Sequence, residues 1–268
     1  MNTSIDACYS FAMPKIILNN GFSIPPIGLG TWHMKEGQDA EHAVAEALKI
    51  GYRLIDTAKY YGNEASIGKA VRESAIPREE IFVTTKLWPT DFFNPERAFR
   101  ESFEQLGLEY IDLYLVHYPV PLMPTSIWKV LERMVGEKLV RSIGVSNYDI
   151  EALRHTLSYA KILPAVNQVR FSPFDFKQDL LAFCKEYDVA LEAYSPLTRG
   201  IHLKDKDLKA IAQKHGKTPA QIMIRWCVQH GTIPIPKSSH PERMRENLDV
   251  FNFVLDSADM AALDVLSP

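Results

Sequence analysis

The chain has 268 residues, of which 46% are hydrophobic and 24% charged, enough for one large core. Its net charge of −3 gives no basic surface for nucleic acid, and no apolar stretch approaches a membrane span. The three cysteines, Cys8, Cys184 and Cys227, suit neither a disulfide framework nor a zinc site. We therefore expect a cytoplasmic protein with one domain over residues 1–268, no metal, and no nucleic-acid or membrane partner.

The N-terminal segment reads as a short extension followed by a hairpin. Residues 1–14 contain the polar residues Asn2, Thr3, Ser4 and Asp6 where a signal peptide needs a continuous apolar stretch, and we expect a poorly ordered extension there. The runs Lys15–Leu18 and Ser23–Pro25 flank Asn19–Phe22, in which Asn-Gly favours the positive φ of a tight turn. We expect this β-hairpin to cover the floor of a barrel.

From Ile27 onward, short β-rich runs alternate with amphipathic helical stretches. Helical patterns include Ala40–Leu48 and Ala220–Gln229, the latter capped by Thr218. Eight runs are predicted strands: Ile27–Trp32, Arg53–Asp56, Ile81–Lys86, Ile111–His117, Val140–Val145, Ala165–Val169, Val189–Tyr194 and Thr232–Pro236. This alternation predicts an α/β fold, a (β/α)8 TIM barrel. A Rossmann domain has no support, because no Gly-x-Gly-x-x-Gly opens the first helix.

Four residues suited to proton transfer lie near the ends of predicted strands. Three of them end their strands and the fourth lies in the following loop; they are Asp56, Lys86, His117 and Tyr61. In a parallel α/β barrel, strand ends and the loops after them form the active site. Each residue alone has a structural explanation, such as a loop cap or a solvent-facing lysine. Together at one rim they predict a catalytic site, because buried strand ends are otherwise apolar.

The four residues fit the reduction of a carbonyl by a hydride. That reaction needs a proton donor at the developing alkoxide, and a tyrosine is suitable if a nearby ammonium lowers its pKa. Lys86 would supply this charge, and Asp56 would keep Lys86 protonated. His117 would orient or polarise the substrate oxygen. On this reasoning alone, Tyr60 competes with Tyr61 for the donor role.

Positive charge is concentrated after the last predicted strand, within Ile235–Arg243. Loops after the seventh and eighth strands of such barrels often bind phosphate. Lys237 and Arg243 supply cations, and Ser238 and Ser239 supply hydroxyl groups. From the residues alone, a solvated helix cap explains the segment equally well.

From the hairpin through nearly its whole length, the chain resembles the aldo-keto reductase family. The segment Gly51–Glu64 is similar to the family signature, in which the catalytic tyrosine follows the aspartate by five positions. That spacing selects Tyr61 over its neighbour. The family's lysine falls on Lys86 and its histidine on His117. The tryptophan that usually follows that histidine is Tyr118 here, which changes the expected shape of the pocket.

The resemblance implies NADPH/NADP+ as the cofactor, preferred over NADH. The segment with Lys237 and Arg243 resembles the family's clamp for the adenosine 2′-phosphate, and the nicotinamide ring is implied to stack on Tyr194. The full set of implied cofactor contacts is Thr31, Asp56, Ser146, Asn147, Gln168, Tyr194, Ser195, Leu197, Lys237, Ser238, Ser239, Arg243, Glu246 and Asn247.

Three aromatic side chains are candidates to line the substrate pocket: Trp32, Trp88 and Tyr118. The C-terminal stretch offers only the helix-like Ser257–Leu266 to close it, so we expect an open pocket with broad substrate tolerance. Arg170 stands where the family commonly has glutamate, and we assign it no role. We expect a monomer that acts on small carbonyl compounds.

Two other functions fit parts of the pattern. A Schiff-base aldolase would use a desolvated Lys86 as its nucleophile, but it leaves the phosphate segment unexplained. An NADPH-binding redox sensor or scaffold would keep the fold with little turnover, although an intact set of four catalytic residues argues against it. The favoured prediction is NADPH-dependent reduction of aldehydes, ketones or keto-sugars, with Tyr61 as the general acid.

Overall fold

The computed structural model describes residues 15–120 and 124–267, so the extension expected over 1–14 lies outside the described residues. Two short strands, β1 (Ile16–Ile17) and β2 (Ser23–Ile24), pair as an antiparallel hairpin. The other strands are β3 (Leu29–Gly30), β4 (Leu54–Asp56), β5 (Phe82–Leu87), β6 (Ile111–Val116), β7 (Val140–Ser146), β8 (Val166–Arg170), β9 (Ala190–Tyr194) and β10 (Ile233–Ile235). These eight are parallel and paired in chain order, so the predicted barrel strands are confirmed.

Helices pack around the outside of the sheet. They are α1 (Gln38–Ile50), α2 (Glu64–Arg72), α3 (Pro95–Leu106), α4 (Thr125–Gly136), α5 (Ile150–Leu157), α6 (Gln178–Glu186), α7 (Lys206–His215), α8 (Pro219–Gln229), α9 (Pro241–Leu248) and α10 (Ser257–Asp264). The predicted cap of α8 is confirmed, because Thr218 and Gln221 form a reciprocal capping box. The last helix ends at Asp264 rather than at the predicted Leu266. Within the described ranges, none of the helices has the length and hydrophobicity of a membrane-spanning segment.

The barrel closes between β10 and β3 through a half-formed ladder. The Gly28 N–H donates to the Pro234 carbonyl (3.0 Å), and the Gly30 N–H donates to the Pro236 carbonyl (3.2 Å). Because proline has no N–H, neither proline returns a hydrogen bond to β3. β3 is therefore only partly paired on its β10 side, and it is shorter than the predicted strand Ile27–Trp32.

The hairpin covers the barrel floor, as predicted. Asn20 donates from its side chain to the Arg141 carbonyl (3.1 Å) and to Ser142 Oγ (2.9 Å), at the start of β7. The apolar side chains inside the floor end of the barrel are Leu18, Ile24, Leu54, Phe82, Leu113, Leu115, Ala165, Val166, Ile233 and Ile235. Toward the carboxyl ends of the strands, polar side chains take over the inward-facing positions, and they form the site described next.

Candidate active site

Lys86 lies at the centre of a buried polar cluster at the carboxyl end of the barrel. It is fully buried on β5. Its ammonium donates to both carboxylate oxygens of Asp56 (2.8 and 2.6 Å) and to the Thr57 carbonyl (2.9 Å). It also lies 3.3 Å from the Tyr61 hydroxyl. Three of the four residues that the sequence singles out are therefore in direct contact.

The short helical turn Lys59–Tyr61 points two adjacent tyrosines in different directions. Tyr61 turns inward, and the Lys86 nitrogen lies 4.9 Å from the centre of its ring. Tyr60 is 57% exposed and stacks on Trp88 with ring centres 3.9 Å apart. Of the two tyrosines, Tyr61 is the one placed for proton transfer next to Lys86.

Burial controls the ionisation of this cluster. Burial disfavours the charged form of Lys86, but the attraction of Asp56 and the other acidic groups is larger than this effect. The pKa of Lys86 is therefore raised, and the lysine is charged. Burial also raises the pKa of Tyr61 to about 12, and Lys86 only partly opposes this. The expectation that Lys86 lowers the pKa of Tyr61 below its usual value is therefore wrong in net effect, because desolvation of the phenolate is the larger influence.

His117 follows β6 and closes one side of the cluster. Its ring stands edge-on to that of Tyr61, with centres 5.8 Å apart. Burial, together with the positive charge of Lys86, lowers the pKa of His117 to about 3, so the imidazole is neutral. Its Nδ1 is buried and has no hydrogen-bond partner among the described residues. A proton on Nε2 avoids burying an unpartnered donor, and this tautomer can donate to a carbonyl oxygen.

A cavity of about 910 Å³ opens above the cluster, with Lys86 beneath it. This volume lies in the range of small-molecule sites. Thr31 is outside the cavity wall; it is buried and donates to the Asp56 carbonyl (2.8 Å). The predicted catalytic, cofactor and substrate residues that do line the cavity are Asp56, Tyr61, His117, Ser146, Asn147, Gln168, Tyr194, Ser195, Leu197, Lys237, Ser238, Ser239, Arg243, Glu246, Asn247, Trp32, Trp88 and Tyr118.

One end of the cavity is a wall of hydrogen-bonded side chains at the ends of β7, β8 and β9. Asn147, in a left-handed conformation (φ 64°), donates to the His117 carbonyl (2.9 Å) and accepts from the Tyr194 hydroxyl (2.9 Å). Ser146 Oγ donates to the Gln168 carbonyl (2.8 Å). The predicted contacts for a carboxamide and its stacking tyrosine thus form one connected surface.

Gln168 joins this wall to the cluster of Lys86. Its Nε2 donates to Asp56 Oδ2 (2.8 Å) and to Glu192 Oε2 (2.8 Å). Glu192 is fully buried on β9 and is missing from the sequence-based set. A signal for it exists, because Glu192 lies two residues before Tyr194 on the same face of the strand, and a buried acid requires a polar partner.

The other end of the cavity is formed by the loop after β10 and by α9. Lys237 and Arg243 are exposed there, and neither has an ion pair or hydrogen bond within the described parts of the chain. Ser238 Oγ accepts from the His240 N–H just before α9 (3.1 Å). Glu246, further along α9, accepts from the Thr218 hydroxyl (2.5 Å). This end offers free cations beside a helix start, which suits a phosphate.

Two arginines also line the cavity. Arg170 is exposed at the end of β8 and has no hydrogen bond or ion pair to the residues described. Arg199, in the loop after β9, lies over the Trp32 ring at 4.8 Å from its centre. The sequence does not predict the contact between Arg199 and Trp32, because it joins two loops that are far apart in the chain.

Comparisons with known proteins agree with this geometry. The chain matches the model described as "Aldo/keto reductase family" over residues 26–268. The chain belongs to the aldo/keto reductase family. It is 44% identical over 257 residues to a 9,11-endoperoxide prostaglandin H2 reductase of Trypanosoma cruzi (strain CL Brener), covering 94% of this chain and 91% of that protein. Glyoxal reductase of Bacillus subtilis (strain 168) is 42% identical over 252 residues, covering 93% and 91%.

A solved structure gives the same result. The crystal structure of an aldo-keto reductase enzyme from a Medee basin deep-sea metagenome library has a TM-score of 0.91 and 43% identity to this aldo-keto reductase, and covers 94% of each chain. The family and fold predicted from the sequence are therefore confirmed. The protein is an oxidoreductase that reduces carbonyl groups of small molecules, in a family that typically uses NAD(P)H.

Proposed function

We propose that this aldo-keto reductase uses NADPH to reduce small aldehydes, ketones or keto-sugars, with Tyr61 as the general acid. The observation that carries the proposal is the 3.3 Å contact between the Tyr61 hydroxyl and the Lys86 ammonium at the base of the cavity. The single-domain organisation over 1–268, the monomeric state and the cytoplasmic location expected from the sequence remain predictions.

The side chains at the two ends of the cavity support binding of a dinucleotide that carries an additional phosphate. Ser146, Asn147 and Gln168 would hold the carboxamide, and Tyr194 would support the ring. The unpaired cations at the other end favour NADPH over NADH, because the 2′-phosphate is the group by which the two cofactors differ. When bound, the cofactor supplies the hydride.

Tyr61 donates its proton to the carbonyl oxygen as negative charge develops there. A phenol with a pKa of about 12 is still a stronger acid than the alcohol that is formed, so the transfer is favourable. The Lys86 ammonium stabilises the phenolate that remains, and Asp56 holds that ammonium in place. The neutral His117 donates a hydrogen bond to the same oxygen and orients the carbonyl toward Tyr61.

Lys86 is poorly suited to form a Schiff base. Its nitrogen already contacts oxygens of Asp56, Thr57 and Tyr61, and it lies below the cavity wall. A charged amine has no free electron pair for attack. Borohydride treatment with an aldehyde present should leave no adduct on Lys86 by mass spectrometry, and a trapped adduct would favour the aldolase function.

Consumption of NADPH with a panel of aldehydes, ketones and keto-sugars tests the proposal. Tyr61→Phe should lower kcat by roughly 10²- to 10⁴-fold, whereas the matched control Tyr60→Phe should stay near the parent. Both variants should still bind NADPH in a fluorescence titration. A Tyr61→Phe rate within about threefold of the parent would reject Tyr61 as the donor. Binding of NADPH without reduction of any carbonyl would favour the sensor or scaffold instead.

A further inference from the structure

The proton transfer described above does not use Glu192, although this acid lies deep inside the barrel. It is fully buried on β9, paired in register with Gln168 on β8 and with Ile233 on β10. Its Oε2 accepts from Gln168 (2.8 Å). Its Oε1 is buried and has no hydrogen-bond partner in residues 15–120 and 124–267. Burying a carboxyl group with one oxygen unpartnered costs free energy, which suggests that its contact with Gln168 has a function.

The contact with Glu192 is one of two hydrogen bonds that the Gln168 amide donates. One N–H of its amide points to Asp56 and the other to Glu192, both at 2.8 Å. Two bonds in different directions fix the plane of the amide, and they leave its oxygen as the free polar atom. Gln168 lines the cavity, and its oxygen is not among the buried unpartnered atoms of the described residues. The oxygen therefore faces the cavity and is available to accept a hydrogen bond.

Asp56 alone would not fix this orientation. It would hold one N–H, and the amide would be free to turn about that single bond to find an acceptor for the second. A flipped amide is also excluded, because its oxygen would then face the Asp56 carboxylate at 2.8 Å. The second acceptor is Glu192.

We propose that Glu192 is a positioning residue, which orients the Gln168 amide so that its oxygen accepts a hydrogen bond from the carboxamide of the nicotinamide. This inference rests on the proposed function and concerns only the nicotinamide end of the cavity. Glu192 is not part of the cavity wall and acts through Gln168. It should therefore affect the nicotinamide part of the ligand and leave the adenosine part unchanged.

The charge balance of the cluster fits this role. Burial, and then the negative charge of Asp56, raises the pKa of Glu192 to about 8, while Gln168 and Lys86 oppose the shift. Lys86 supplies one positive charge, and its contacts of 2.6 and 2.8 Å are to Asp56. The raised pKa favours the protonated form of Glu192, and this form accepts from Gln168 through its carbonyl oxygen. It orients the amide without adding a second negative charge beside Asp56.

Calorimetric titration with two ligands tests the proposal. NADP+ carries the nicotinamide, whereas 2′-phospho-ADP-ribose lacks it and serves as the internal control. Glu192→Met, which has similar length but no acceptor oxygen, should weaken NADP+ binding about tenfold, equivalent to one hydrogen bond, and leave the fragment unchanged. Glu192→Gln keeps an acceptor oxygen and should bind both ligands at pH 7 as the parent does.

A pH series adds a measurement that does not depend on Glu192→Met folding. Ionised Glu192 pulls more strongly on the Gln168 N–H, which makes the amide oxygen a better acceptor. The ratio of NADP+ to fragment affinity should therefore rise above pH 8 in the parent and stay flat in Glu192→Gln. His117 and Tyr61, with pKa values of about 3 and about 12, do not titrate in this range.

The outcomes separate the two proposals. If Glu192→Met weakens both ligands equally, or if the parent and Glu192→Gln show the same pH dependence, Glu192 has only a structural role. If Glu192→Met changes neither affinity, Asp56 suffices to orient Gln168, and the inference is also overturned. A parent that binds neither ligand overturns the proposed function, and the role of Glu192 with it.

Discussion

The two ends of the cavity are built in opposite ways. At the end proposed to hold the nicotinamide, called here the nicotinamide end, Asp56, Lys86 and Gln168 are buried and bonded to one another. At the end proposed to hold the 2′-phosphate, called here the phosphate end, Lys237 and Arg243 are exposed and have no partner among the described residues. The first end is assembled when the protein folds, whereas in the proposed function the second is completed by the 2′-phosphate of the cofactor.

This difference determines how each end responds to change. Charges inside the barrel are weakly screened, so removing one of them leaves its partner without compensation. Charges at the rim are hydrated and screened by salt, so they add little to the folded state and act through the ligand. Stability should therefore depend on the nicotinamide end, and cofactor preference on the phosphate end.

The largest expected contrast is in stability. Lys86→Met leaves the Asp56 carboxylate buried without a counter-charge and should lower the free energy of unfolding by about 3–5 kcal/mol. Adding Asp56→Asn should recover part of this loss, because no uncompensated charge remains. The matched change at the rim, Lys237→Ala, should alter the free energy of unfolding by less than about 0.5 kcal/mol. Urea unfolding followed by circular dichroism gives all three values, and equal losses at the two ends would contradict the distinction.

The next effect concerns cofactor preference. Lys237→Ala combined with Arg243→Ala should remove most of the preference for NADPH, because each charge-assisted contact to the 2′-phosphate contributes about tenfold in affinity. Affinity for NADH should be unchanged. Arg245→Ala is the matched control, since Arg245 is an exposed arginine of the same helix outside the cavity wall.

Fluorescence titration with both cofactors measures this preference. Raising the salt concentration should weaken NADPH binding more than NADH binding in the parent. In the double variant it should weaken the binding of the two cofactors by the same factor. Equal parental affinities for the two cofactors, or a preference that survives the double substitution, would contradict a phosphate site at Lys237 and Arg243.

At pH 7 the smallest effect is that of His117, because its influence on the pH dependence of stability appears only in acid. Its pKa of about 3 in the folded protein lies below the ordinary 6.5, so the unfolded chain takes up a proton that the folded protein does not. The neutral His117 therefore makes its full contribution to the free energy of unfolding above pH 6.5. That contribution is lost as the pH falls toward 3, by at most about 1.4 kcal/mol per pH unit. His117→Gln should make the decline of stability shallower between these limits in acid urea titrations. Parallel curves would show that His117 titrates normally.

Local patterns in the sequence predict most of the fold. The strand runs and the Asn-Gly turn depend on neighbouring residues, and strand ends in a parallel barrel must converge, which explains the correct grouping around Lys86. The net shift of the Tyr61 pKa depends on depth of burial, which is a tertiary property. The partner of Glu192 lies on another strand, and the contact between Arg199 and Trp32 joins distant loops.

We expect the closure between β10 and β3 to be the first part of the barrel to open. Its bonds run in one direction only, from Gly28 and Gly30 to prolines that return none, so we expect this seam to separate at a lower free energy than the other pairs of barrel strands. These two amides should lose protection in native-state hydrogen exchange before those of β6. Lys237 and Trp32 lie on opposite sides of the seam and both line the cavity. A ligand that contacts both residues binds the closed barrel, so its binding should make the opening of this seam less favourable.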